Sequence, residues 1–295
     1  MDTLDTIADF PDLSGHLLPD GALSEAGIRA FREQIWHFYS QHERAFPWRQ
    51  TRDAYQIFVS EVMLQQTQTD RVWEKYLEFV ALFPDFQALA CASLHDVLSA
   101  WQGLGYNRRG RFLHESAQKV MQEHGGRLPA SEEILGTFPG IGPATAASIC
   151  AFAFDMPTVF IETNIRTVFI VSFLRAQREI PDAAIRTLVA QTVDPEHPRL
   201  WYYALMDYGV TLKKTLGNAN KQSKHYARQS KFEGSNRQVR GMVLRVLLKH
   251  RQVSFTDLCS ELTNELSVAP ERLQAVVDQL CVERLVKKQD DILVI

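Results

Sequence analysis

Phe138-Pro139-Gly140-Ile141-Gly142-Pro143 lies between two stretches, 131–135 and 145–154, in which apolar residues recur at helical period. Two glycines around one apolar residue allow a tight turn with outward-pointing backbone N–H groups, and such a turn at the start of a helix can hold a phosphate. A plain interhelical turn accepts the same residues, so the neighbours have to decide. Further helical patterns cover 58–80, 89–101 and 111–124, and Ser24 suits the N-cap of a helix running to about Gln41. The expected class is mainly α.

Upstream of the turn, Ser60-Glu61-Val62-Met63-Leu64-Gln65-Gln66-Thr67-Gln68 places one carboxylate and three amides on a stretch that otherwise reads as amphipathic helix. Val62, Leu64 and Val72 can face a core, while Glu61, Gln65 and Gln68 recur on another face. The alternative is a solvated helix face. Trp101-Gln102-Gly103-Leu104-Gly105-Tyr106-Asn107-Arg108-Arg109-Gly110 joins an apolar wedge and an aromatic to the cations Arg108, Arg109 and Arg111, which suits an opened duplex unless Leu104 and Tyr106 pack inward. In Phe160-Ile161-Glu162-Thr163-Asn164-Ile165-Arg166 a carboxylate precedes a helical pattern, where the dipole and free N–H groups would hold it, either as a functional group or as a helix cap.

The 295 residues, 45% hydrophobic and 23% charged, suffice for two or three cores. No apolar run approaches the roughly 18 residues of a bilayer span, and the start of the chain, six acids and no base through residue 25, does not look like a leader; a soluble, cytoplasmic protein is expected. Cys91, Cys150, Cys259 and Cys281 lack paired metal spacing. The net charge of −3 conceals a segregation: residues 201–251 carry eleven Lys or Arg against Asp207 and Glu233, the footprint of a phosphate-facing surface. After that, three short helical patterns (237–250, 255–266, 271–283) and two apolar strands around Gln289-Asp290-Asp291 suggest a winged-helix-like module at 236–295, for DNA contact or for docking.

Taken together, these motifs resemble the adenine DNA glycosylases of the MutY type, in the helix-hairpin-helix glycosylase superfamily. The match runs from Phe46-Pro47-Trp48-Arg49 through the Glu61 run, Gly103-Leu104-Gly105-Tyr106 and the Pro139–Gly142 turn to Leu205-Met206-Asp207-Tyr208-Gly209. The resemblance implies a two-lobed glycosylase domain at 24–233, with lobe one at about 50–155 and lobe two at 24–49 plus 156–233, behind a poorly ordered acidic segment 1–23. It implies Glu61 as the general acid, Glu162 at the position of the family's sugar-stabilising aspartate, and Asn164 beside it, the paired-carboxylate logic of glycoside hydrolysis. Gln66 and Tyr106 would meet the base stack, Thr67 and Leu104 the opposite base, and Trp48 and Arg49 the adenine pocket, with Gln65 also among the DNA-binding residues. Arg108, Gly140, Gly142, Lys213 and Lys214 would contact DNA.

Three features depart from the family pattern. Glu162-Thr163 replaces aspartate-glycine, which lengthens the carboxylate arm. The family's four 4Fe–4S cysteines correspond to Lys213, Asn220, Ser223 and Gln229, so no cluster and no other cofactor or metal is expected, and hydrogen bonds and packing must replace it as scaffold. The winged-helix-like module stands where the family has a Nudix-like domain. Ala144, at the position of the Schiff-base lysine of endonuclease III relatives, implies a monofunctional hydrolase. The expected protein is a monomeric base-excision repair enzyme acting on mismatched or damaged double-stranded DNA, with no membrane partner. Its alternatives are a glycosylase for another base, a non-catalytic DNA-structure binder, and a transcription regulator built on the C-terminal module.

Overall fold

The computed structural model describes residues 11–224, 226, 227, 231–265 and 268–295. Its elements in order are α1 (Glu25–His42), α2 (Pro47–Gln50), α3 (Ala54–Leu64), α4 (Thr69–Leu82), α5 (Phe86–Cys91), α6 (Leu94–Trp101), α7 (Arg108–Glu123), α8 (Glu132–Leu135), α9 (Pro143–Phe154), α10 (Thr163–Phe173), α11 (Asp182–Thr192), α12 (Pro198–Leu216), α13 (Asn236–His250), β1 (Gln252–Ser254), α14 (Phe255–Glu265), α15 (Pro270–Val282), β2 (Lys287–Gln289) and β3 (Ile292–Val294). The mainly helical class with a small C-terminal α+β module is the expected one.

Two patterns that read as single helices are each broken in two. The 58–80 stretch divides at Gln65–Gln68, where Gln66 adopts a left-handed φ of 56°. The 89–101 stretch divides at Ala92-Ser93, where the Ser93 hydroxyl accepts from Asp96 N and starts α6. Apolar periodicity carries across a one-turn break because both halves still face the same core, so the sequence pattern alone does not show it.

The chain forms two compact units. The first comprises the described residues up to Ile57, Ala130–Thr137, and from Ile141 to 227. Its core lies where α1, α10 and α12 meet, with Phe31 against Phe169, Phe173 and Trp201 at ring-centroid distances of 5.2, 5.0 and 5.9 Å. Each such side chain contributes on the order of 1.5–3 kcal/mol by leaving water. Helix α9 belongs here and not with the first lobe as expected: every residue from Ala146 to Phe152 is buried, and Phe152 stacks on Tyr203 of α12 at 4.7 Å. A helix apolar on all sides needs neighbours on all sides, and α12 supplies one of them.

Residues 11–23 are ordered, contrary to the expectation for this segment; residues 1–10 lie outside the described residues. Leu13 and Leu23 are buried, Leu13 N donates to Ser172 O, and Leu17 bridges to Leu23. The acids in this stretch stay exposed while the leucines offset the ordering entropy by joining the core.

The second unit comprises Phe58–Pro129, Phe138–Gly140 and the chain from Lys231 onward. Its C-terminal part has the order α13-β1-α14-α15-β2-β3 and an antiparallel sheet β1-β3-β2, which is winged-helix topology. Strand β1 was not legible in the sequence, because three residues paired to β3 through Val253 and Leu293 are too short to show a period. The module is not free-standing: Leu98 of α6 lies in its core with Val243, Leu247 and Leu280, and Leu94 packs against the same cluster.

Candidate active site and nucleic-acid surface

In the first unit, Glu162 is the N-cap of α10. Its Oε1 accepts from the backbone N–H groups of Asn164 and Ile165, both at 2.8 Å, and its Oε2 from Asn164 Nδ2 at 3.3 Å. Burial raises the Glu162 pKa above the ordinary carboxylate range, opposed by those two N–H donors and by the charges of Arg166 and Arg44. Glu162 is thus a helix cap that its donors hold in place and that burial disfavours as an anion.

Helix α12 reaches this corner through Gly209. A Cβ there would lie 2.4 Å from the carbonyl oxygen of Asn164, so only glycine permits the approach. Gly209→Ala is expected to lower the unfolding free energy by about 1–3 kcal/mol and to displace Asn164, read as a lower urea midpoint. An unchanged midpoint would show that α10 and α12 have slack.

Two residues earlier, buried Asp207 binds two guanidinium groups. Arg44 Nε donates to it at 2.7 Å, and Arg49 grips both its oxygens at 2.8 Å. Arg49 also lies over the Tyr203 ring at 4.4 Å, and Trp48 is buried and stacked on Phe46 at 4.9 Å. Both members of the expected base-pocket pair are thus held by their surroundings: Arg49 Nη1 and Nη2 are bound to Asp207, because a buried carboxylate requires a partner of fixed geometry. Asp207 was visible in the sequence only as part of a motif, without this role.

Two of the residues at the expected cluster-ligand positions are buried and hydrogen-bonded. Asn220 is buried and donates to Thr167 Oγ1 at 2.8 Å; Ser223 is buried and bridges in parallel to Ile180. Gln229 lies outside the described residues. These side chains do not fit an iron–sulfur cluster, since none offers a thiolate, and the cysteines sit on α5, α9, α14 and α15. Lys213 and Lys214 are exposed on the last turn of α12, and Gly142 begins α9 with no side-chain cap, which leaves first-turn N–H groups to other acceptors.

In the second unit, Glu61 lies on the last turn of α3, directly before the Gln65–Gln68 turn. Arg109 fixes that turn. Its Nη1 donates to the carbonyls of Val62, Met63 and Gln65 at 2.9, 2.9 and 2.5 Å, and its Nη2 to Thr67 Oγ1 at 2.9 Å and Gly105 O at 3.2 Å. A guanidinium at a helix C-terminus satisfies orphan carbonyls and complements the dipole. Burial lowers the Arg109 pKa to about 10, which leaves it cationic at neutral pH.

The three cations expected to face DNA therefore divide. Arg109 is buried, Arg111 pairs with Glu115 at 2.5 Å, and Arg108 is exposed over the Phe112 ring. The loop divides as well. Leu104, expected near the opposite base, is buried, whereas Tyr106 is 38% exposed with φ 47°. Gln65 Nε2 reaches Gly140 O at 3.4 Å, so the polar run and the hairpin adjoin, and Gln66 is exposed beside them. Among the described residues, no group of His, Cys, Asp or Glu has metal-ligand placement, and no helix is long and apolar enough to cross a membrane.

Fold and site define a class: a helix-hairpin-helix base-excision protein with a carboxylate at the N-terminus of α10. The model of the HhH-GPD superfamily of base excision DNA repair proteins matches residues 59–195. An adenine DNA glycosylase of Mycolicibacterium smegmatis is 30% identical over 279 residues, covering 88% of this chain and 93% of its own length. An adenine DNA glycosylase of Mus musculus is 38% identical over 201 residues, 63% of this chain, and this chain spans 39% of its length. Among solved structures, a thermostable thymine-DNA glycosylase is 25% identical with TM-score 0.55, covering 62% of this chain and 85% of that one. An endonuclease III in a complex with DNA, 14% identical with TM-score 0.54 and the same coverage, shares the fold. The chain belongs to the adenine DNA glycosylase family.

Proposed function

We propose that this protein is a monofunctional DNA glycosylase that hydrolyses the N-glycosidic bond of adenine mispaired with 8-oxoguanine or guanine in double-stranded DNA, as a cytoplasmic monomer without a cofactor. The observation that carries the reading is Glu162, a carboxylate with a raised pKa that is held by two backbone N–H groups; the resemblance assigns it the role of the family's catalytic aspartate.

In this reading the target nucleotide leaves the base stack, and Glu61 gives its proton to the adenine ring. The bond between sugar carbon and base nitrogen then breaks, its electron pair going to the protonated base. The sugar develops oxocarbenium character, and the ionised Glu162 faces that charge. Water adds to the sugar carbon and its proton passes to a carboxylate. Positive charge forming on the sugar removes the penalty that burial places on the Glu162 anion, so the site favours the transition state over the resting state.

The test is single-turnover base release from duplexes bearing adenine opposite 8-oxoguanine, adenine opposite guanine, and thymine or uracil opposite guanine. Adenine release is expected. Release of thymine or uracil alone would assign the site to another base, and tight binding without release of any base would make the protein a DNA-structure binder.

A further inference from the structure

The C-terminal module and loop 102–107 line one cleft of about 670 Å³ within the second unit. One face of α13 forms a wall, with Arg237, Arg240, Gly241, Leu244 and Arg245 at helical spacing. Arg71, Arg108, Gln65 and Gln66 border it from the glycosylase side, and the buried Arg109 lies behind them. Among the described lining residues the acid is Glu283, whose carboxyl binds Arg240. Two exposed aromatics stand among them, Tyr106 at 38% and Phe232 at 60% exposure. Arg237 Nη1 donates to the Tyr106 hydroxyl at 3.0 Å, so the module positions the loop's aromatic.

Gly241 points to an occupant. It sits inside α13, where glycine costs about 1 kcal/mol relative to alanine, and a Cβ there would meet nothing within 4 Å. Packing of the described residues does not require glycine here, and the missing side chain leaves room for a ligand backbone to lie against the helix.

We propose that this cleft binds one strand of DNA, with Arg237 and Arg245 on backbone phosphates, the strand passing over Gly241, and an unpaired base stacked on Phe232 and Tyr106. The cleft has the size of a small-molecule pocket, roughly 300–1,000 Å³, which admits a nucleotide or two of one strand and not a duplex. Arginine interleaved with aromatics is the chemistry of single-strand binding. The module does not present its third helix as a duplex reader would: on α15 the exposed Glu271 and Asp278 outweigh Arg272, whose guanidinium is held by Gly234 O and Asn236 Oδ1.

The inference takes DNA as its ligand from the proposed function, and the two can fail separately. Binding of the full chain is measured by fluorescence anisotropy on a labelled duplex with one guanine opposite an abasic analogue, and on the fully paired duplex, across a salt series. For Arg237→Gln combined with Arg245→Gln, affinity is expected to fall and the slope of log K against log salt to flatten by about 0.7–0.9 for each phosphate no longer neutralised. For Gly241→Gln, thermal stability should hold or rise while affinity falls about tenfold, opposite signs that a structural glycine would not give. Phe232→Ala should weaken binding to the unpaired-base duplex about tenfold and leave the paired one unchanged. Unchanged affinity and slope in the arginine and glycine variants overturn the cleft even if adenine is released. No DNA binding by the unaltered chain overturns the proposed function with it.

Discussion

Glu162→Gln is expected to reduce single-turnover adenine release by at least about 10³-fold while leaving the fold as stable as before or more so. The amide oxygen can still accept from Asn164 N and Ile165 N, so the cap on α10 survives. What disappears is the charge facing the sugar, and loss of one such electrostatic group costs about 10²–10³ in rate or more. The sign of the stability change follows from the raised pKa. An acid whose pKa is higher in the folded than in the unfolded chain penalises the fold as pH rises from the ordinary carboxylate range through the raised value. The glutamine variant escapes that penalty, so its advantage should appear above the ordinary range and vanish below it. A urea midpoint measured against pH checks this, and a variant that loses stability at neutral pH would mean that the carboxylate is simply a cap. Glu61→Gln should also lose release, by about 10²–10⁴-fold, the usual contribution of a general acid.

Arg109→Met is expected to destabilise the protein by about 3–5 kcal/mol in urea unfolding monitored by far-UV circular dichroism. Methionine fills a similar volume without donors. The carbonyls of Val62, Met63 and Gln65 and the hydroxyl of Thr67 would then lack their partner, at about 1–3 kcal/mol for each group that water cannot reach. Arg109→Lys should recover only part of the loss, because an ammonium lacks the planar fork that serves α3 and loop 102–107 together. Adenine release should fall in both variants, since Glu61 and the Gln65–Thr67 turn are carried on the backbone that Arg109 holds. A loss below about 1 kcal/mol in the methionine variant would remove Arg109 from this role.

Much of the molecule was legible in its sequence. Apolar period gave most of the helices, Ser24 caps as its residue type suggests, and the hairpin with Glu61 and Glu162 pointed to the family. These signals are local: a cap, a turn or a 3.6-residue period depends on residues within a few positions of each other. The winged-helix order was legible for the same reason, except for β1, whose partner strand β3 is distant in sequence.

Tertiary structure alone decided where the charged groups went. Arg108, Arg109 and Arg111 are indistinguishable in a sequence, yet one is exposed, one is buried among backbone carbonyls, and one pairs along its own helix. Nothing near Arg49 in the sequence shows that Asp207, 158 positions away, takes its guanidinium. The same holds for Leu104 and Tyr106, close neighbours in one loop that turn opposite ways. A long cationic side chain has no preferred surroundings of its own; it goes to whichever carbonyl or carboxylate the fold brings within reach and shields from water. The sequence determines which chemistry the protein carries, and only the packed chain determines which of those groups remain available to use it, because desolvation and partner geometry are set by contacts between residues far apart along the chain.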